Sequence, residues 1–347
     1  MRVRVVPWQK MRTEDRLRWL ELQKQNPALA SPYFHPRFSD IVAEARGDVE
    51  LAIIEESDAL AAYLPFHRMP GNVGVPVGHY LSDYHGLICE PGYWCDPKDL
   101  MRQSGLIAWD FDHLVASQRC FAPFHQSLDI SPQIDLSAGF DAYSRQKNVV
   151  KREQIKIRKL KRDHGPLRFI PHSADQGLMQ SLLMWKSRQY TKTGKQDILV
   201  QPWTTSVIQS IHATQDENFS GMLSLLHAGD RLVAAHFGIR SGDILHSWFA
   251  SYDTEFSKYS PSLILLLKIC EHAKSDNIKT IDLGRGMSEW KQRFMNASVP
   301  LANGSVELAS ARYAYRLLRG QVRSLAIRLN LHSPARRALQ VLRRSWR

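Results

Sequence analysis

The stretch from Gly221 to Phe294 constrains the fold of this 347-residue chain more than any other. Three runs of alternating, β-branched and aromatic residues, MLSLLH, RLVAAHFGI and ILHSWFASYD, are separated by AGD and RSGD, whose Gly and Asp suit tight turns. The pattern predicts an antiparallel meander. A helix follows, with Ser260 as its cap, Pro261 at its first position and the apolar run LILLLKIC along it. Then come a short strand, TIDL, and a Gly-rich loop that ends in GRGMSEWKQRF. A helix start beside a strand end presents unpaired backbone N–H groups, which favour an anion there. Ser260, Pro261 and Ser262 are therefore candidate anion-binding residues.

Two groups of motifs carry a family resemblance. YDTEFSKYSPS followed by IDLGRGMSEWKQRF resembles the C-terminal signature of the tandem acyltransferase-like family that includes the CelD-like cellulose-biosynthesis proteins and, more distantly, the FemABX aminoacyltransferases. SPYFHPRF, VGHYLSDYHGLI, WDFDHL, WKSRQYTKTG and GDRLVAAHFG resemble the same family in the same order, so the likeness runs from about residue 30 to residue 300. The chain has Ser262 where the family has Gly, and Trp290 where it has Tyr.

The resemblance implies an α/β (α+β) fold of two tandem acyl-CoA N-acyltransferase (GNAT)-like domains with central, mostly antiparallel mixed sheets. It implies transfer of an acyl group, N- or O-linked, to a sugar or amine acceptor in cellulose or other exopolysaccharide production. Acyl-CoA, most simply acetyl-CoA, is the expected co-substrate, and no tightly bound cofactor is expected. Coenzyme A is a weaker expectation than acyl transfer itself, because the Q/R-x-x-G-x-G/A loop of acetyl-CoA enzymes is missing. Two alternatives stand beside this reading. One is a FemABX-like transfer from aminoacyl-tRNA, the only role given to nucleic acid. The other is a non-catalytic accessory protein of a polysaccharide synthase, for which Ser262 in place of Gly speaks.

Charge sharpens the domain division. The segment Arg145 to Arg168 carries +8 and the segment Ala311 to Arg347 carries +10 from ten arginines, against +12 for the whole chain, so the remainder stands at −6. The expected units are an N-terminal GNAT-like domain over 1–140, a basic connecting helix over 141–165, a C-terminal acyltransferase domain over 166–310 and a basic amphipathic helical tail over 311–347. In the tail, Arg312, Arg316, Arg319 and Arg323 share one helical face and Ala314, Leu318, Val322, Leu325 and Leu329 another, as an interfacial membrane helix requires. No apolar run approaches the ~18–20 residues that span a bilayer, and the first residues lack a signal-type apolar segment. A cytoplasmic protein, peripheral at most on the inner membrane face, is expected. Four cysteines without C-x-x-C spacing argue against a zinc ribbon or redox pair, and no metal site is expected.

Acyl transfer builds negative charge on a carbonyl oxygen, where a preplaced cation or N–H donor accelerates reaction ~10²–10³-fold. Lys291, closing the Gly-rich loop, is the expected cation, a role the FemABX resemblance also implies, with an ion pair to Asp282 as the purely structural alternative. Asp83 or His85, in LSDYHG, is the expected general base, and Asp253 a second base or a turn former. Arg285 and Gly286 join Ser260, Pro261 and Ser262 as donor-binding candidates. Tyr84, Trp185, Arg188, Tyr190, His236, Trp248 and Trp290 are candidates to line the acceptor groove, and His246 alternates with Trp248 on the same strand. A direct attack of the acceptor on the donor, without a covalent enzyme intermediate, fits these residues best.

Overall fold

The computed structural model describes residues 1–57 and 59–309; the basic tail expected over 311–347 lies outside them. Strands of the first half are β1 (Arg2–Pro7), β2 (Val49–Glu56), β3 (Ala59–Met69), β4 (Val73–Pro76), β5 (Ile88–Cys89), β6 (Ala108–Val115) and β7 (His125–Asp135). Its helices are α1 (Thr13–Gln25), α2 (Pro36–Arg46) and α3 (Pro97–Gln103). Short helix α4 (Phe140–Gln146) and the basic α5 (Asn148–His164) lead to the second half. There β8 (Leu167–Ile170), α6 (Gln176–Lys192), α7 (Pro202–Ala213) and β9 (Gln215–Asp216) precede the meander of β10 (Phe219–Ala228), β11 (Arg231–Ser241) and β12 (Ile244–Tyr252). Helix α8 (Pro261–His272), β13 (Thr280–Asp282), α9 (Glu289–Phe294) and β14 (Ala297–Glu307) complete it.

The two halves repeat one plan. In each, an antiparallel run of strands ends in a strand joined through a helix to a parallel neighbour: β4 to β6 through α3, and β12 to β13 through α8. The other ladders are antiparallel. All join one mixed sheet in the order β1-β2-β3-β4-β6-β14-β7-β13-β12-β11-β10-β8.

The seam is an exchange of strands. β7, from the first half, pairs with β13 of the second, while β14, from the end of the second half, lies between β6 and β7. Residues 131–135, at the end of the expected N-terminal domain, are thus part of β7. Pro132 has no N–H to donate, but its carbonyl still accepts from Leu283 N at 2.9 Å. An apolar core containing Trp19, Phe38, Leu51, Ile208, Phe219 and Phe237 draws on both halves, and α2 packs on α7. Two further cores lie under α8 and under α3.

Candidate active site

The site begins where β12 and β13 part. Their ladder lasts three residues and ends at His246 opposite Asp282. β12 runs on to Tyr252, with a bulge that places two residues of β12, Trp248 being the extra one, against a single step of β11 between Phe237 and Gly238. The fork opens into a cleft of about 670 Å³. One wall is the free edge of β12 with Ser247, Trp248, Ala250 and Tyr252; another is the start of α8 with Ser260, Ser262, Leu263 and Leu266; a third is the loop from Leu283 to Lys291. Asp83, Lys186, Gln189, Lys195 and His236 close it.

The helix start and the Gly-rich loop thus face one crevice. Ser260 occupies the cap position of α8 in the left-handed region, φ 53°, and its side chain makes no cap bond, contrary to the reading of Ser260 as a capping residue. Its Oγ instead accepts from Lys156 Nζ of α5 at 3.0 Å. The buried hydroxyls of Ser262 and Ser288 both line the cleft and have no hydrogen-bond partner among the described residues. Orphaned buried donors of this kind cost free energy unless a ligand satisfies them, and beside a helix start that ligand is an anion.

Lys291 lines the cleft but is not paired with Asp282. Its Nζ donates to the carbonyls of Gly284, Arg285 and Gly286 at 2.9, 2.8 and 3.1 Å. Burial pulls its pKa down from the ordinary lysine value, against the opposing pull of Asp83, Asp282 and Asp129. An ammonium has three N–H bonds, and all three are used within the loop. Lys291 therefore holds the Gly-rich loop in shape.

Asp83 and Asp282 flank His246, which is fully buried. His246 Nε2 lies 3.1 Å from Asp83 Oδ2, and Nδ1 lies 3.4 Å from Asp282 Oδ1. Burial opposes a charge on this ring, but hydrogen bonding and the charges of Asp282 and Asp83 outweigh it and raise the pKa to about 9. For both carboxylates burial is likewise outweighed, chiefly by His246, and both are held below their usual range. Asp282 also accepts from Ser131 Oγ at 2.6 Å, Gln133 Nε2 at 2.9 Å, Gly284 N at 2.8 Å and the Tyr84 hydroxyl. Ser131 and Gln133 lie on β7, so the exchanged strand helps build the site. Asp83 further meets Arg285 Nε at 3.5 Å. Gly284 has φ 76°, and a Cβ there would stand 2.9 Å from Asp83 Oδ2, so glycine is required on both counts.

Of the residues expected in the site, Lys291, Asp83, Ser260, Ser262, Arg285, Gly286, His236, Trp248 and Trp290 line the cleft. The others do not. His85 is buried away from it with Nε2 2.8 Å from Asp112 Oδ1. His85, Asp112 and His113 bring donor atoms within 4.8 Å of one another, but Arg285 Nη1 sits 2.9 Å from His113 Nε2 and 3.3 Å from Asp112 Oδ2, putting a cation where a metal would go. Asp253 caps the short helical turn Thr254–Tyr259 and accepts from Arg231 at 2.7 Å, the turn-forming role rather than a base. Tyr84 faces inward to Asp282, Pro261 is buried, Trp185 packs on the shared core and Arg188 is exposed. Tyr190 stands beside Lys186, whose Nζ is 5.5 Å from the centre of its ring.

Sequence reasoning underrated three residues. His246 and Asp282 form the buried charge network, and Lys186, within the WKSRQYTKTG motif but not singled out there, reaches the cleft. His236 is buried, held to a pKa of about 4 by burial and by His246, and contacts Ser247 Oγ at 2.8 Å.

With this geometry in hand, residues 144–292 match the acetyltransferase (GNAT) domain family. No curated protein matches the chain. Among solved structures, the C-terminal domain of a putative lysylphosphatidylglycerol synthetase from Agrobacterium fabrum is similar, with TM-score 0.54 and 13% identity over 89% of this chain and 96% of that one. FemX follows with TM-score 0.52 and 10% identity over 81% of this chain and 97% of that one. A tandem GNAT protein from the clavulanic acid biosynthesis pathway has TM-score 0.50 and 8% identity over 89% and 99%. At such identities the likeness shows the fold. Residues 144–292 thus match the GNAT domain family, and the described chain has the fold of tandem GNAT proteins.

Proposed function

We propose that the protein transfers an acyl group from acyl-CoA to an amino or hydroxyl group of a sugar. The observation that carries this reading is the single cleft shared by the start of α8, the 283–291 loop and the free edge of β12. The α8 end, with its orphaned Ser262 and Ser288 hydroxyls, takes the phosphates of the carrier. The chain joining phosphates to thioester follows the β12 edge, whose backbone groups beyond His246 have no partner in β13. Trp248, Tyr252 and Trp290 give the cleft apolar faces against which a sugar ring can pack.

Asp83 receives the acceptor. Its carboxylate stays ionised because His246 and Arg285 face it, so it orients an attacking amine or hydroxyl and takes up its proton as the bond to the acyl carbon forms; the thioester C–S bond then breaks, coenzyme A leaves as the thiolate, and that proton passes to the sulfur. On the resemblance to CelD-like proteins we assign the sugar to cellulose or another exopolysaccharide and the protein to the cytoplasm, with the ten arginines of 311–347 as the segment that meets an anionic membrane face. No helix among the described residues is long and apolar enough to cross a membrane.

One observation favours aminoacyl-tRNA as the donor instead. Lys156 of the basic helix α5 contacts Ser260, so a run of exposed cations, including Lys151, Arg152 and Arg158, adjoins the phosphate end of the cleft. Both readings are tested by following thiol release from acetyl-CoA and longer acyl-CoAs with glucosamine as acceptor, alongside transfer from charged tRNA. Acceptor-dependent thiol release is expected. Activity with tRNA alone, steeply reduced by salt, would transfer the assignment to aminoacyl transfer. Absence of both would leave a non-catalytic protein.

A further inference from the structure

We infer that Lys186, rather than Lys291, is the cation that stabilises the negative charge forming on the acyl carbonyl oxygen. The inference rests on the acyl-transfer reading above. It comes from an account of where each cation of the cleft spends its hydrogen bonds. Lys291 gives its three to the carbonyls of residues 284–286. Arg285 is turned toward Asp83, Asp112 and His113. Lys195 is exposed, where water weakens its field.

Lys186 is half-buried, and Nζ makes one hydrogen-bond contact, at the long distance of 3.4 Å, to the carbonyl of Ala250. An ammonium has three N–H bonds, so two are without an acceptor among the described residues, and Lys186 lines the cleft. Ala250 lies on the free edge of β12, three residues beyond Ser247, on the path given above to the thioester arm. The ammonium is therefore preplaced on that path, screened from bulk water and short of acceptors, which is what stabilisation of a transient oxyanion requires.

The charge is also poised. The titratable and charged groups that line the cleft with Lys186 are Asp83, Lys195 on the loop after α6, His236 on β11, Tyr252 on β12, Arg285 on the Gly-rich loop and Lys291 at the start of α9, and Tyr190 lies beside it on its own helix. His236 is neutral above a pKa of about 4, and Tyr190 is held at about 12 by burial together with Asp197 and Asp83. Burial, followed by Lys195, pulls Lys186 down to about 8. A reaction that needs its positive form loses rate as pH rises through that value.

The test uses the full chain and acetyl-CoA, with glucosamine as acceptor. At pH 7, Lys186→Met is expected to lower kcat by about 10²- to 10³-fold, with the Kd for acetyl-CoA moving less than about threefold. Lys186→Arg is expected to keep at least about a tenth of kcat and to lose the alkaline fall near pH 8, because guanidinium stays charged. The inference is overturned if Lys186→Met keeps kcat, if its loss lies in donor affinity alone, or if the alkaline fall persists in Lys186→Arg. A wild-type protein that transfers nothing overturns the acyl-transfer reading and this assignment together, which separates the two failures.

Discussion

Lys291 and His246 exchange the importance that motif reading gives them. Lys291 was legible because it closes a distinctive GRGMSEWKQRF run, but spacing cannot tell whether an ammonium's hydrogens are free. His246 looks in sequence like any residue alternating along a strand, yet it is the buried positive centre between Asp83 and Asp282. Its raised pKa has a definite sign for stability. The folded state holds the proton more tightly than the unfolded one, so the contribution is complete below pH ~6.5 and is lost as pH rises through about 9. His246→Gln is expected to cost about 3–5 kcal/mol at pH 6, since it leaves the buried Asp282 without its cation and Asp83 with Arg285 alone. Thermal unfolding of wild type is expected to weaken between pH 7 and pH 10, and the variant to show a flatter slope over that range. An equal slope in both would remove His246 from the charged network.

Among elements, the Gly-rich loop and the exchanged strands differ most in what the sequence discloses. The meander, α8 and β13 were readable because alternation, turn residues and a Ser-Pro helix start agree over a long run. β7 and β14 were not. β7 contains Pro132, and β14 contains Pro300, Asn303 and Gly304, residues that read as breakers; Asn303 and Gly304 are taken up by a register shift in the ladders of β14 with β6 and β7. The loop after β13 depends on Gly284, whose positive φ and closeness to Asp83 leave no room for a side chain. Gly284→Ala is expected to cost about 1–3 kcal/mol in unfolding free energy. It should also lower acyl transfer by at least about tenfold, because Asp83 must move. Unchanged turnover with that loss of stability would show that the position of Asp83 does not matter to the reaction.

At the scale of the molecule, the expected division into 1–140 and 166–310 carries no account of how the halves are joined. Each half lends a strand to the other, and Ser131 and Gln133 of the first hold Asp282 of the second. The first half thus acts on the cleft without forming its anion seat, a relation that local sequence cannot carry because the contacting residues lie about 150 positions apart. Strands β11 and β12 of the sheet line one side of the cleft, and residues of α6 and α8 line others. Everything proposed for the chemistry requires that cleft to hold an anionic carrier by its phosphates. Calorimetric titration of the wild type and of Ser262→Asp with coenzyme A and with pantetheine, which lacks the phosphates, measures this directly. Coenzyme A is predicted to bind wild type at least about tenfold more tightly than pantetheine does, and to lose that advantage in Ser262→Asp, where a carboxylate takes the seat. Equal affinity for the two ligands in wild type, or an advantage unchanged by Ser262→Asp, would contradict it.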